Sequence, residues 1–334
     1  MAGIANDRVK PTAQRPRGIY SGRVAVNTRI CTEHYRLTLQ MPADFPASAP
    51  GQFVQLECRD HEATCDNQYQ VLEWSPGQAR PQMHDPDFLA GVAYLRRPFS
   101  IAGRRTLADG KQEIDIIHRV VGRGTRYLEG LARDAEVSVL GPLGNGFVLP
   151  EKMDLALLVG GGVGIPPMFY LAQAVHAAGK RAVGFVGAQR KDLVPLTISP
   201  CSPAPAADGS PVLNATEFAD HGFPTVISTD DGSLGYKGFV TGALAAFLEK
   251  NTQIARERTV VFCCGPTPMM KATAAVAHKY GVAAQVSLEQ PMACGMGTCQ
   301  SCVVRFYDDA ASDEWRYKLT CTDGPVFDAR QLRW

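Results

Sequence analysis

Leu155-Ala-Leu-Leu-Val159-Gly-Gly-Gly-Val-Gly164-Ile-Pro-Pro167 is the stretch on which the fold turns. Its five leading apolar residues suit a strand covered on both faces, and the glycines allow a close turn. Pro166 and Pro167 then open a helix, where a missing N–H is no loss, and Gly179 marks its end. The same order returns at Thr259-Val-Val-Phe-Cys263, with Cys264-Gly265-Pro266 as the loop, Thr267 as N-cap, Pro268 as the first helical residue and Gly281 as the stop. A further strand is expected at Thr225–Ser228. Repeated strand, turn and helix predict a parallel sheet with helices on both faces over residues 151–287.

Outward from this core the texture changes. Between Ile19 and Leu149 apolar and polar residues alternate, as in Tyr35–Met41, Gln52–Glu57 and Glu113–Ile117, with Gly and Pro turns between them, which predicts an antiparallel β-barrel. Residues 59–95 and 194–217 are polar or rich in Pro, Ala and Ser and are expected to be inserted loops. Beyond Leu288 the chain is cysteine-rich. The expected class is α+β multidomain: a flexible arm (1–17), a β-barrel (18–150), a parallel α/β domain (151–287) and a small C-terminal domain (288–334).

The chain has 334 residues, 45% of them apolar and 20% charged, and a formal net charge of +1, so nothing electrostatic favours nucleic acid or an anionic membrane. The first 17 residues lack the apolar stretch of a signal peptide, and no run approaches the roughly 20 apolar residues of a spanning helix. A cytoplasmic location is expected. Ten cysteines in such a chain point to metal or redox chemistry before disulfides.

Their spacing is specific. Cys294-Gly-Met-Gly-Thr-Cys299-Gln-Ser-Cys302, with Cys321 downstream, has the plant-type [2Fe-2S] pattern, and Gly295 and Gly297 let backbone N–H groups approach inorganic sulfide. A structural zinc site, which more often shows paired C-x2-C knuckles, or inert thiols are the alternatives. Arg97-Pro98-Phe99-Ser100 places a guanidinium suited to a pyrophosphate beside an aromatic and a hydroxyl suited to a flavin; the bland alternative is a surface turn. Gly122-Arg-Gly124-Thr125 precedes a short expected helix at Arg126–Leu131 whose start suits phosphate. The Gly160–Gly164 loop departs from G-x-G-x-x-G because two prolines follow it, and a ligand-free turn remains open. By the rule that ligands bind at the carboxyl ends of parallel strands, the loops after 159, 228 (Thr229-Asp-Asp-Gly-Ser233) and 263 are expected to converge on one crevice. Cys58, His61, Cys65 and His84 are too irregularly spaced for a convincing metal site, and the remaining histidines read as structural or surface residues.

In the order of these motifs the chain resembles the ferredoxin-reductase-like flavoproteins and, within them, the electron-transfer subunits of the heteromeric, NAD-dependent (type B) dihydroorotate dehydrogenases. The resemblance runs from Ile19 to Asp328 and is most specific at Thr229-Asp-Asp-Gly-Ser233 and at Cys321-Thr-Asp-Gly-Pro-Val-Phe327. It implies FAD contact at Arg97, Pro98, Phe99, Ser100, Gly122, Gly124 and Thr125, and cluster ligation by Cys294, Cys299, Cys302 and Cys321. It implies NAD binding as co-substrate near Gly161, Gly162, Gly164, Gly265 and Pro266, with Cys264 as the candidate catalytic residue. It further implies an FMN-containing catalytic partner in a heterotetramer, serving pyrimidine (UMP) biosynthesis. The two insertions and the arm depart from the family's pattern. The alternatives are a NAD(P)H-dependent reductase subunit of another complex, of ferredoxin, hydrogenase or sulfite reductase type, and a non-enzymatic redox-sensing scaffold.

Overall fold

A computed structural model describes residues 17–59, 93–308 and 314–334. The first sheet comprises β1 (Gly18–Cys31), β2 (His34–Met41), β3 (Phe53–Cys58), β4 (Ala93–Ser100), β5 (Gly103–Thr106), β6 (Gln112–Arg119) and β7 (Glu136–Leu143). Its strands run in the order β4-β3-β7-β1-β2-β6-β5 and all neighbours pair antiparallel. Alternation sends Leu37, Leu39, Val54, Leu56, Ile114 and Ile116 into a shared core. The sheet curls until β4 meets β6, where the Phe99 and His118 rings lie 6.0 Å apart, edge to face. Helix α1 (Arg123–Glu129) sits beside that seam. It starts three residues earlier than the sequence predicts, because the Thr125 hydroxyl accepts the N–H groups of Val121 (2.9 Å) and Gly122 (3.1 Å).

The second sheet follows the quoted stretch. It contains β8 (Leu155–Gly161), β9 (Arg181–Ala188), β10 (Thr225–Thr229), β11 (Tyr236–Lys237), β12 (Thr259–Cys264) and β13 (Ala283–Ser287), with α2 (Pro166–Ala177), the single turn α3 (Thr216–Ala219), α4 (Val240–Lys250) and α5 (Thr267–Lys279). The order β11-β10-β9-β8-β12-β13 is parallel throughout. Strand order reverses at β8, with β9 to β11 added on one side of it and β12 and β13 on the other, so the carboxyl-end loops of β8 and β12 open a crevice at that switch point. Pro266, rather than Thr267, is the N-cap of α5, and Pro268 takes the second helical position. Over 194–217 the chain folds back on β10 through the bridges Ile198↔Ala215 and Val212↔Thr225. Most of the segment 59–95, with His61, Cys65 and His84, lies outside the described residues.

The cysteine-rich tail adds the hairpin β14 (Val303–Tyr307) and β15 (Trp315–Leu319), and then β16 (Val326–Asp328), which pairs antiparallel with β13 at the edge of the second sheet. Among the described residues no helix is long and apolar enough to cross a membrane.

Candidate functional site

One cleft of about 1220 Å³ runs along the junction of the three parts. The barrel supplies Arg97–Ser100 from β4, Ile117–Arg119 from β6 and Val121–Thr125 before and within α1; the parallel sheet supplies Val163, Cys264 and Ser287; the segment Leu288–Ala293 and Ser301 lead into the cysteine loop. A smaller hollow of about 470 Å³ beside His176 and His221, at the amino ends of the strands, contains none of the candidate residues.

On the barrel wall, Leu56 pairs with Arg97, Gln55 with Pro98 and Val54 with Phe99. A proline is tolerated opposite Gln55 only because this is an edge strand of the sheet. The Arg97 guanidinium is held by the Leu95 carbonyl at 2.9 Å. A Cβ on Gly124 would stand 3.1 Å from Cys58 Cβ and 3.4 Å from Arg97 Cγ, so the glycine lets the start of α1 lie against Arg97. Thr125 caps the same turn. His118 has 2% of its surface exposed and neither ring nitrogen has a partner. Burial pushes its pKa down to about 4, against the attraction of Glu129, and His34 lowers it further. A buried imidazole with both nitrogens unmet, facing a cleft beside an arginine, fits a polar ligand such as a flavin nucleotide.

On the opposite wall the glycines serve mainly to bring two loops together. A side chain on Gly164 would collide with the Cys264–Gly265 peptide, and one on Gly161 with the Met269 sulfur; Gly265 itself has φ +155°. Gly162, at φ +55°, faces open space. Val163 and Cys264 are thereby left at the cleft. Cys264 is buried, and its thiol is pushed far up by that burial, by Cys263 and by Glu289, despite a hydrogen bond with Ser287. It is a neutral, compact group rather than a nucleophile. The loop after β10 does not join this wall, contrary to the expectation of three converging loops. Because β10 lies two strands from β8, Ser233 instead accepts the Lys191 N–H at 2.9 Å and Asp231 N–H bonds the Gln189 carbonyl at 3.3 Å.

The four motif cysteines fall into two pairs. Cys294 Sγ accepts the N–H groups of Met296 and Cys299, both at 3.4 Å, and the Cys299 thiol is drawn down to about 6 by the Ser301 hydroxyl and amide and by Cys294. Cys302 and Cys321, each 1% exposed, hydrogen-bond to one another, and burial together with that neighbour pushes Cys321 up to about 12. Two thiols pressed together in an apolar setting stay protonated unless a cation lies between them, which reverses the preference. The loop needs φ +70° at Gly295 and +91° at Gly297, and the Thr320 hydroxyl beside Cys321 is fully buried without a partner. Two sulfur pairs, amides aimed at sulfur and an orphaned hydroxyl fit a two-iron cluster.

The iron-sulfur cluster binding domain of dihydroorotate dehydrogenase B matches residues 289–333. Over 310 residues the chain is 30% identical to the electron transfer subunit of dihydroorotate dehydrogenase B (NAD(+)) from Caldanaerobacter subterraneus subsp. tengcongensis, spanning 93% of this chain and 96% of that protein. The chain belongs to this family. The subunit from Bacillus velezensis is 32% identical over 312 residues, covering 92% and 96% of the two chains. Among solved structures, the NADH-dependent reduced ferredoxin-NADP oxidoreductase superposes with a TM-score of 0.67 at 25% identity, over 94% of this chain and 90% of that one.

The chain brings Arg97–Ser100, Gly122–Thr125 and Cys264 onto one cleft, while Gly161, Gly162, Gly164, Gly265 and Pro266 are not among its lining residues. Sequence reasoning passed over His118, Val163 and Glu289. His118 looks like any inward residue of an alternating strand, and Val163 like filler within a glycine loop. Glu289, on the cleft lining, is marked only by standing five residues before Cys294.

Proposed function

We propose that the chain relays electrons from an FMN-containing subunit that oxidises dihydroorotate to NAD+, through a [2Fe-2S] cluster and FAD. The observation that carries this reading is the single cleft on which the Arg97 strand, the Cys264 loop and the segment leading into Cys294 meet. FAD, when bound, exchanges two electrons with nicotinamide and one at a time with the cluster, which is why both belong in one subunit.

The residues bind and orient. Residues 18–150 would hold FAD, with Arg97 neutralising its pyrophosphate and Thr125, Gly122 and Gly124 shaping the turn beside it; α1 has only seven residues, so Arg97 carries most of the charge. Pro98, Phe99 and Ser100 would line the flavin. Residues 151–287 would bind the nicotinamide nucleotide, Gly161, Gly162, Gly164, Gly265 and Pro266 fixing the two loops and Cys264 filling the corner where nicotinamide meets flavin without offering a competing charge. In residues 288–334, Cys294, Cys299, Cys302 and Cys321 would ligate the cluster, leaving the 1–17 arm outside the chemistry. The partner completes a heterotetramer in pyrimidine (UMP) synthesis, in the cytoplasm, where free thiols stay reduced.

Anaerobically purified protein is expected to carry flavin, iron and labile sulfide, and NADH should bleach the flavin. Adding an FMN-containing dihydroorotate dehydrogenase subunit should then couple dihydroorotate oxidation to NADH formation. A colourless, zinc-loaded protein, or a flavin that NADH leaves oxidised, would refute the reading.

A further inference from the structure

Gln55 lies on β3 at the seam between the barrel and the cysteine loop. Its side chain is fully buried, and neither the amide nitrogen nor the amide oxygen has a hydrogen-bond partner. The orphaning does not depend on which way the amide is turned, since both ends are unmet. The surroundings are apolar: Gln55 pairs with Leu140 and with Pro98, which has no N–H to offer, and Phe53, two residues away on the same face, packs with Leu140, Leu143, Cys302 and Cys321. A leucine or methionine would suit such a surface better, because an unmet buried amide loses its hydration without a hydrogen bond in return.

The amide is pressed flat on the cysteine loop. A Cβ on Gly295 would stand 2.8 Å from both Cδ and Oε1 of Gln55 and 2.9 Å from Nε2. Gly295 follows Cys294 directly, and the left-handed turn there removes the side chain that would shield the loop from the amide. Anionic sulfur accepts hydrogen bonds and donates none, and Cys294 already receives two backbone N–H groups in this loop. The barrel supplies a further, still unused donor against Gly295, the residue next to Cys294.

We propose that Gln55 donates its Nε2 hydrogen to an anionic sulfur of the [2Fe-2S] cluster on its Cys294 side and thereby raises the cluster's reduction potential. The inference rests on the reading that these cysteines hold the cluster. A donor to sulfur favours the reduced cluster, which carries one more negative charge, over the oxidised one. Gln55 thus ties the poise of the cluster to the same strand pair that carries Pro98 and Phe99 on the flavin side.

The test is an EPR-monitored redox titration of the holoprotein and of Gln55→Leu, with iron, sulfide and FAD determined on the same samples. Wild-type protein without a reducible iron-sulfur signal would refute the cluster reading itself. With the cluster present, Q55L is expected to disfavour reduction about tenfold, a fall of about 59 mV for a one-electron couple, at unchanged iron, sulfide and FAD content and unchanged flavin potential. If Q55L does not retain its cluster, Gln55→Met, which keeps length and shape, carries the same measurement. Protein labelled with 15N in the glutamine side chain should show a 15N coupling to the reduced cluster that Q55M lacks. An unshifted potential in a loaded variant, or no such coupling in the wild type, would overturn the assignment.

Discussion

Cys299 is the exposed member of the four cysteines, and its thiol is drawn down to about 6 by Ser301 and Cys294. Cys299→Ser should therefore remove a ligand without disturbing the barrel wall of the cleft. Stopped-flow mixing with NADH is expected to show flavin reduction close to wild type, while onward transfer to a one-electron acceptor falls by a factor of about 100 or more; equal loss of both rates would mean that the cluster only holds the fold. His118 gives a pH prediction. Its folded pKa, about 4, lies below the ordinary 6.5, so between those values the unfolded chain binds a proton that the folded chain refuses. Stability is then complete above pH 6.5 and is lost as pH falls through that window, by up to about 3 kcal/mol. Urea unfolding of the FAD-free protein should show this loss, and His118→Leu should remove most of it, leaving the smaller share of His34, whose pKa burial also lowers. A profile unchanged by H118L would mean that His118 is charged or solvated in the folded protein.

The loop between β8 and α2 decides how the turns after β8 and β12 meet. Gly164→Ala would drive a methyl into the Cys264–Gly265 peptide, where only backbone can yield. A loss of about 1–3 kcal/mol is expected in chemical denaturation, with weaker NADH binding and unchanged FAD content. Gly162→Ala, at a positive φ but in open space, should cost about 1 kcal/mol and leave NADH affinity nearly intact. A G164A protein as stable as G162A would show that the loops are free to separate. That Pro166 and Pro167 start a helix is legible in the sequence, because proline-first, glycine-last signals are local. The reason for Gly164 is not, since its neighbour belongs to a strand a hundred residues on. Likewise the alternation Val54, Gln55, Leu56 implies an outward polar residue on the barrel, and only the tertiary fold covers it with Gly295. The start of α1 at Arg123 is not legible in the sequence, because a threonine hydroxyl capping two earlier amides leaves no periodic trace. The Thr229–Ser233 turn was assigned to the crevice from strand direction alone, which says nothing of strand order.

Across the whole molecule the Asn145 side chain helps fasten the cysteine-rich tail to the barrel's exit. Asn145 donates through Nδ2 to the carbonyls of Asp323 (3.0 Å) and Val326 (2.9 Å) and accepts the Val326 N–H at 2.9 Å, next to the point where β16 joins β13. Gln285 makes a similar two-way link with Val148, at 3.0 Å and 2.7 Å, so barrel, parallel sheet and tail meet within a few residues. The apolar contact of Phe53, Leu140 and Leu143 with Cys302 and Cys321 has no direction of its own, and the Asn145 bonds give it one. Asn145→Ala leaves the Val326 amide and two carbonyls without their partner, a loss of about 2–3 kcal/mol. Val326 is buried, so water replaces those bonds poorly. The variant is expected to keep FAD and cluster but to hold them less rigidly, and electron exchange between two centres falls steeply with their separation. Rapid-freeze EPR after mixing with NADH should then show slower appearance of the reduced cluster at an unchanged rate of flavin reduction. If stability falls and the exchange rate does not, the apolar contact alone sets the geometry between flavin and cluster.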